Sequence, residues 1–239
     1  MIKIMSRVQL GSAGPKVLPM ALSVSGRLGS PKHLSLRSAL VTTATPLTLA
    51  DTLPQVRWRT PALVVGASLL TAVAAQIKIP LGFTPVPITG QTFAVLLVGA
   101  TLGAWRAAAS QSLYWLLGAV GLPFYAGGSG GWTAATGSTF GYFIGFVVAA
   151  ALVGLLAQRG NDRALLSSLA AMAIGSITIY ACGVSWLAHS LGVPFYSGDG
   201  KDAFTYGLAP FLVGDLLKMV LAGVLTPLAW RAVQRHTED

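Results

Sequence analysis

Across residues 107–158, and again across 164–198, the chain carries no Asp, Glu, Lys or Arg. A water-soluble fold needs polar side chains on every exposed element, and uncharged stretches this long supply none, so they read as lipid-embedded. Of 239 residues, 54% are hydrophobic and 10% charged, where soluble domains carry about a quarter charged residues.

Six apolar runs divide the chain after residue 57: 61–77, 88–103, 107–120, 138–157, 164–187 and 210–230. A full crossing needs about 20 helical residues, and the last three runs meet that length. The second and third are short and joined almost directly through Ala104-Trp105-Arg106, as expected for a close hairpin that leaves room for a cavity. Basic residues set the orientation. With the N-terminus inside, eight Lys and Arg before Pro61 join Arg106, Arg159, Arg163, Arg231 and Arg235 on the inner side. Only Lys78 and Lys201 fall outside, and Lys218 lies within a run. The expected fold is therefore an all-α integral membrane protein with six transmembrane helices, spanning 57–236, and both termini cytoplasmic.

Residues 1–56 stand apart. They are basic and rich in Ser and Thr, with no acid before Asp51 and no apolar run long enough to span. An organelle transit sequence has this composition. The weak amphipathic periodicity favours a disordered cytoplasmic extension, with translation able to begin at Met20 or later.

The net charge of +9 follows membrane topology and forms no nucleic-acid-binding face. A lone Cys182 excludes an internal disulfide, and three scattered histidines show no metal-ligand spacing. No nucleophile–base pair lies within the runs, which argues against a membrane enzyme.

Three segments carry chemistry. In Gly214-Asp215-Leu216-Leu217-Lys218 the acid and amine lie three apart and share a helix face. A charge at the bilayer centre costs at least ~2.5 kcal/mol. Such a pair either neutralises itself near the membrane surface, with Lys218 snorkelling, or faces a ligand; the default for intramembrane ionisable groups favours the ligand. The second segment runs from Ile77 to Gln91 and holds Pro80, Pro85 and Pro87, with Thr84, Thr89 and Gln91. Its prolines make a stiff connection, either a lid over a pocket or a plain turn. In the third, Gly127, Gly128, Gly130 and Gly131 lie among Phe124, Tyr125, Ser129 and Trp132. A phosphate loop is rejected, because no Gly-Lys-Ser/Thr ending follows. Trp132 also suits an interfacial aromatic belt. In the first run Ala67, Thr71 and Ala75 recur every four residues, a small face fit for packing inside this chain or against a partner helix.

These motifs, in order, resemble the BioY family of biotin transporters. The resemblance rests on Ile79-Pro80 through Thr84-Pro85-Val86-Pro87-Ile88-Thr89 with Gln91. Leu113-Tyr114, Gly118 to Pro123, Ala126-Gly127-Gly128, Gly141-Tyr142 and Gly214 to Lys218 complete it, over about residues 61–232. It implies a substrate-binding component of an energy-coupling-factor (ECF) importer in the bacterial cytoplasmic membrane. Such a component binds biotin from outside and docks on a transmembrane coupling protein with two ATP-binding subunits. No cofactor and no nucleic acid are implied. The chain has no Walker motif, so ATP hydrolysis falls to partners.

The resemblance raises the docking role of Ala67, Thr71 and Ala75, and assigns Asp215 and Lys218 to the ureido ring. Thr84, Thr89, Gln91, Ser129 or glycine amides such as Gly128 stay open for the valerate carboxylate. Tyr114, Phe124, Tyr125, Trp132 and Tyr142 are expected to enclose the thiophane ring and chain. The competing function is a self-sufficient, proton-coupled carrier using Asp215 as a relay.

Overall fold

The structure, a computed structural model, describes residues 48–238; the expectations for residues 1–47 lie outside it. Each of the six apolar runs forms a helix: α1 (Arg59–Gln76), α2 (Gln91–Leu102), α3 (Ala104–Ala119), α5 (Phe140–Gln158), α6 (Leu165–Leu191) and α8 (Leu212–Glu238). Two short helices, α4 (Trp132–Ala135) and α7 (Ala203–Gly207), sit in the connections. Among the described residues three segments are long and apolar enough to cross a membrane: Phe140–Gln158, Leu165–Leu191 and Ala203–Arg235. At 12 and 16 residues, α2 and α3 are too short to span unaided.

The α2–α3 hairpin is tighter than its sequence suggests. Ala104-Trp105-Arg106 does not form a linker but opens α3, and the whole reversal falls on Gly103, whose φ of 79° suits glycine. Helix α5 packs on α6, α3 and α2, while α8 lies on α6 and α2. Ala149, Ala150 and Val153 of α5 are fully or almost fully buried, and in lipid such close packing, more than water exclusion, holds helices together.

The row Ala67, Thr71 and Ala75 serves this internal packing. All three are buried within the chain, and the Thr71 hydroxyl donates to the Ala67 carbonyl (3.1 Å) and accepts from Gln111 of α3 (3.2 Å). The small side chains let α1 approach α3, the internal-packing alternative for this row. The face α1 exposes is instead Val65, Leu69, Leu70 and Val73.

At one end of the bundle Leu49–Thr52 forms a 3-10 turn with Thr48 and Ala50 buried. Asp51 there bridges Arg106 (2.9 Å) and Arg59 (3.2 Å). Residues 48–51 thus pack with the helical body, ahead of the boundary at 57 that composition suggested, while 52–56 are exposed. Burial works against the Asp51 charge, but hydrogen bonds from Arg106 and Thr48 and the two guanidinium charges outweigh it and hold the carboxyl below the ordinary aspartate range. Folding therefore favours the ionised form, so this stabilisation is fully present above the range where a free aspartate titrates and is lost as pH falls through the lower value of the folded protein. Thermal unfolding of the purified protein and of Asp51→Asn should differ at neutral pH and converge in acid; an equal gap at both would remove the bridge from the stability of the fold.

Candidate functional site

At the opposite end of the bundle three connections converge. After α1 the chain forms a two-stranded antiparallel ribbon, β1 (Lys78–Ile79) with β2 (Ile88–Thr89), which pairs Lys78 with Thr89. The proline-rich loop between these strands is anchored by Thr84, whose hydroxyl donates to the Tyr206 carbonyl of α7 (2.7 Å) and accepts from the Val86 amide (3.2 Å). Asp202 caps α7 by accepting from Thr205 (2.7 Å). The backbone amides of Thr205 and Ser197 hold its carboxyl down to about 2. The third connection folds back at Tyr125 and Ser129, which pair across a turn.

Beneath them lies a cavity of about 290 Å³, at the lower end of the ~300–1,000 Å³ range of small-molecule pockets. Asp215 and Lys218 line it. Asp215 lies in the first turn of α8, where the helix dipole favours a negative charge, and it is only 7% exposed. One carboxylate oxygen accepts from the Lys218 ammonium (2.6 Å) and the other from the Tyr180 hydroxyl (2.6 Å). Lys218 also donates to the Thr89 carbonyl (2.6 Å), so α8 is fastened to the ribbon through the same amine. A lysine has three donors, and one is left for a ligand. Each carboxylate oxygen likewise keeps a free lone pair.

Of the remaining expected residues, Thr89, Gln91, Tyr125, Ser129 and Tyr142 line the cavity. The Gln91 oxygen accepts from Tyr114 (3.1 Å), which aims its amide nitrogen. Next to it the Thr92 hydroxyl is buried, with no partner among the described residues. Tyr142 donates to the Gly207 carbonyl (2.7 Å), presenting a ring rather than a hydroxyl. Tyr125 donates to the Trp115 carbonyl (2.5 Å); burial pushes its phenol up to about 12, so it stays protonated.

Five of the expected residues, Thr84, Tyr114, Phe124, Gly128 and Trp132, do not line the cavity. Tyr114 is fully buried; it packs edge-on to Tyr125 and Phe143 and stacks on Phe124, supporting the wall from behind. The Thr84 hydroxyl is spent on the loop. Gly128, with φ 75°, forms the Tyr125–Ser129 turn and donates its amide to the Tyr125 carbonyl (3.0 Å). Trp132 is 66% exposed and leans on Trp115. Conversely, sequence reasoning passed over Tyr180, Thr92, Phe143, Phe146 and Lys78, all in the wall. Tyr180 is one of few polar groups in an apolar run, the kind of residue that repays attention; the others carry no distinguishing spacing.

The BioY family model matches residues 38–235, beginning well before the motifs noted above. A biotin transporter BioY from Rhodobacter capsulatus is 40% identical over 164 residues, covering 66% of this chain and 86% of its own length. Another from Thermotoga maritima is 40% identical over 158 residues, covering 65% and 86%, and that of Rhizobium etli is 36% identical over 166 residues, covering 66% and 86%. Among solved structures, the S-component for biotin from an ECF-type ABC transporter superposes with a TM-score of 0.62 at 23% identity, covering 78% of this chain and 96% of the other. That likeness extends the agreement to the fold. With the family model spanning nearly the whole described body, and relatives matched over most of their length, the chain belongs to the BioY family.

Proposed function

We propose that this protein captures biotin at the outer membrane face and delivers it inward as the substrate-binding component of an ECF-type importer. The observation that carries the reading is the Asp215–Lys218–Tyr180 cluster in the wall of a small, largely apolar cavity. A charge pair held this far from water is costly to assemble, and a ureido ring uses both members: its N–H groups donate to Asp215 and its carbonyl accepts from Lys218. Tyr142, Phe143 and Phe146 offer apolar surface for the thiophane ring, and Gln91 and Thr92 keep open hydrogen-bonding positions beside it. The names of the relatives and the fold of the biotin S-component support the same substrate.

In this reading the bundle crosses the bacterial cytoplasmic membrane six times with both termini inside. The cavity end faces outward and the arginine-rich end faces the cytoplasm. A coupling protein and two ATP-binding subunits supply the energy.

Uptake of labelled biotin by a host lacking its own biotin synthesis and transport tests this. Accumulation should require co-expression of the ECF subunits. Uptake without them, abolished by a protonophore, would favour the proton-coupled carrier; no uptake in either setting would contradict both.

A further inference from the structure

Three charged side chains line the cavity: Asp215, Lys218 and Lys78. Asp215 and Lys218 neutralise each other at 2.6 Å. The Lys78 side chain has no ion pair or hydrogen bond among the described residues. It stands on β1 directly opposite Thr89, and paired residues of an antiparallel ribbon project to the same face. The residue that receives Lys218 through its carbonyl is therefore the one that aligns Lys78 with the same cavity. Lys78 then crosses the Tyr125–Ser129 turn at Gly127, where a Cβ would lie 3.0 Å from both its Cδ and its Nζ. The bare glycine gives the chain a path along the rim.

The cavity wall consequently carries one uncompensated positive charge, and its only acid is already paired. A neutral ligand would leave that charge unanswered, whereas a monoanion balances it. We infer that Lys78 binds the carboxylate of the cavity's ligand and makes the site selective for the free acid over its neutral esters and amides. The inference rests on the biotin reading: with the ureido ring at Asp215 and Lys218, the valerate carboxylate meets Lys78. An ammonium–carboxylate contact is a charge-assisted hydrogen bond. Lys78 sits at an exposed rim, so solvent moderates its strength, and the discrimination expected is about tenfold.

Calorimetric titration of the detergent-solubilised full chain with biotin and with biotin methyl ester tests it. The native protein should prefer the acid by about tenfold or more. In Lys78→Gln biotin should weaken to the level of its ester, while Lys78→Arg should keep the preference. Equal affinity of the native protein for acid and ester overturns the inference and leaves the biotin reading standing, as does an undiminished preference in Lys78→Gln. Absence of binding to either compound by the native protein removes the biotin reading itself, and the inference with it.

Discussion

Replacing Asp215 by Asn should weaken biotin binding by about 1.5–3 kcal/mol or more, the value of a hydrogen bond to a charged group, which calorimetry reads as roughly a tenfold to hundredfold rise in Kd. The amide keeps the shape of the side chain and can still accept from Tyr180, so the change removes the charge without removing the side chain. Lys218→Ala should cost at least as much, because it removes the donor and leaves Asp215, 7% exposed, without its amine. Part of each loss reflects stability, since breaking a buried pair costs about 3–5 kcal/mol in itself. The double variant Asp215→Asn with Lys218→Met separates the two effects. It should recover thermal stability relative to Lys218→Ala, having no orphaned charge, yet bind biotin no better. Recovery of binding in the double variant, or native affinity in both single ones, would take the pair out of the site.

The second large effect lies far from the ligand. Gly154→Ala in α5 should destabilise the protein by about 1–3 kcal/mol through overpacking, seen as a lower unfolding temperature in detergent. An alanine inside a helix normally gains about 1 kcal/mol over glycine, so the sign expected here is the reverse of the intrinsic one. The reason is contact with main chain: a Cβ on Gly154 would lie 2.4 Å from the Ala104 nitrogen and 2.5 Å from the Gly103 carbonyl carbon. Neither atom can rotate away. The α2–α3 hairpin would have to move, and α2 carries Gln91 and Thr92 to the cavity. Gly66→Ala in α1, where a Cβ meets nothing within 4 Å, serves as the control and should leave the unfolding temperature unchanged or higher. A Gly154→Ala protein as stable as that control would contradict the packing described for α5.

How far the sequence could be read varies with the kind of signal. The helical runs were plain because lipid demands long uncharged stretches, and Asp215 with Lys218 stood out because charge inside such a stretch is costly. The prolines between residues 79 and 88 marked a stiff connection, and the ribbon they shape is the roof of the cavity. Contacts between distant segments were another matter. Tyr180 meets Asp215 across 35 positions, and nothing in the local pattern of α6 announces that meeting. In the sequence Lys78 is only an outer-loop charge; strand pairing sets it opposite Thr89. The row Ala67, Thr71 and Ala75 was ambiguous by nature, since a small helix face looks the same whether its partner is α3 or another protein. Thr84 and Tyr114 are polar and aromatic groups of the right region, but one holds a loop and the other holds Gln91.

A structure of the purified protein with bound biotin tests the central claim most directly. The ureido ring should lie within hydrogen-bonding distance of both Asp215 and Lys218, with the ring system against Tyr142 and Phe143. Biotin seated elsewhere, or bound with its carboxylate at Asp215 and Lys218 and its ureido ring at the rim, would contradict the account.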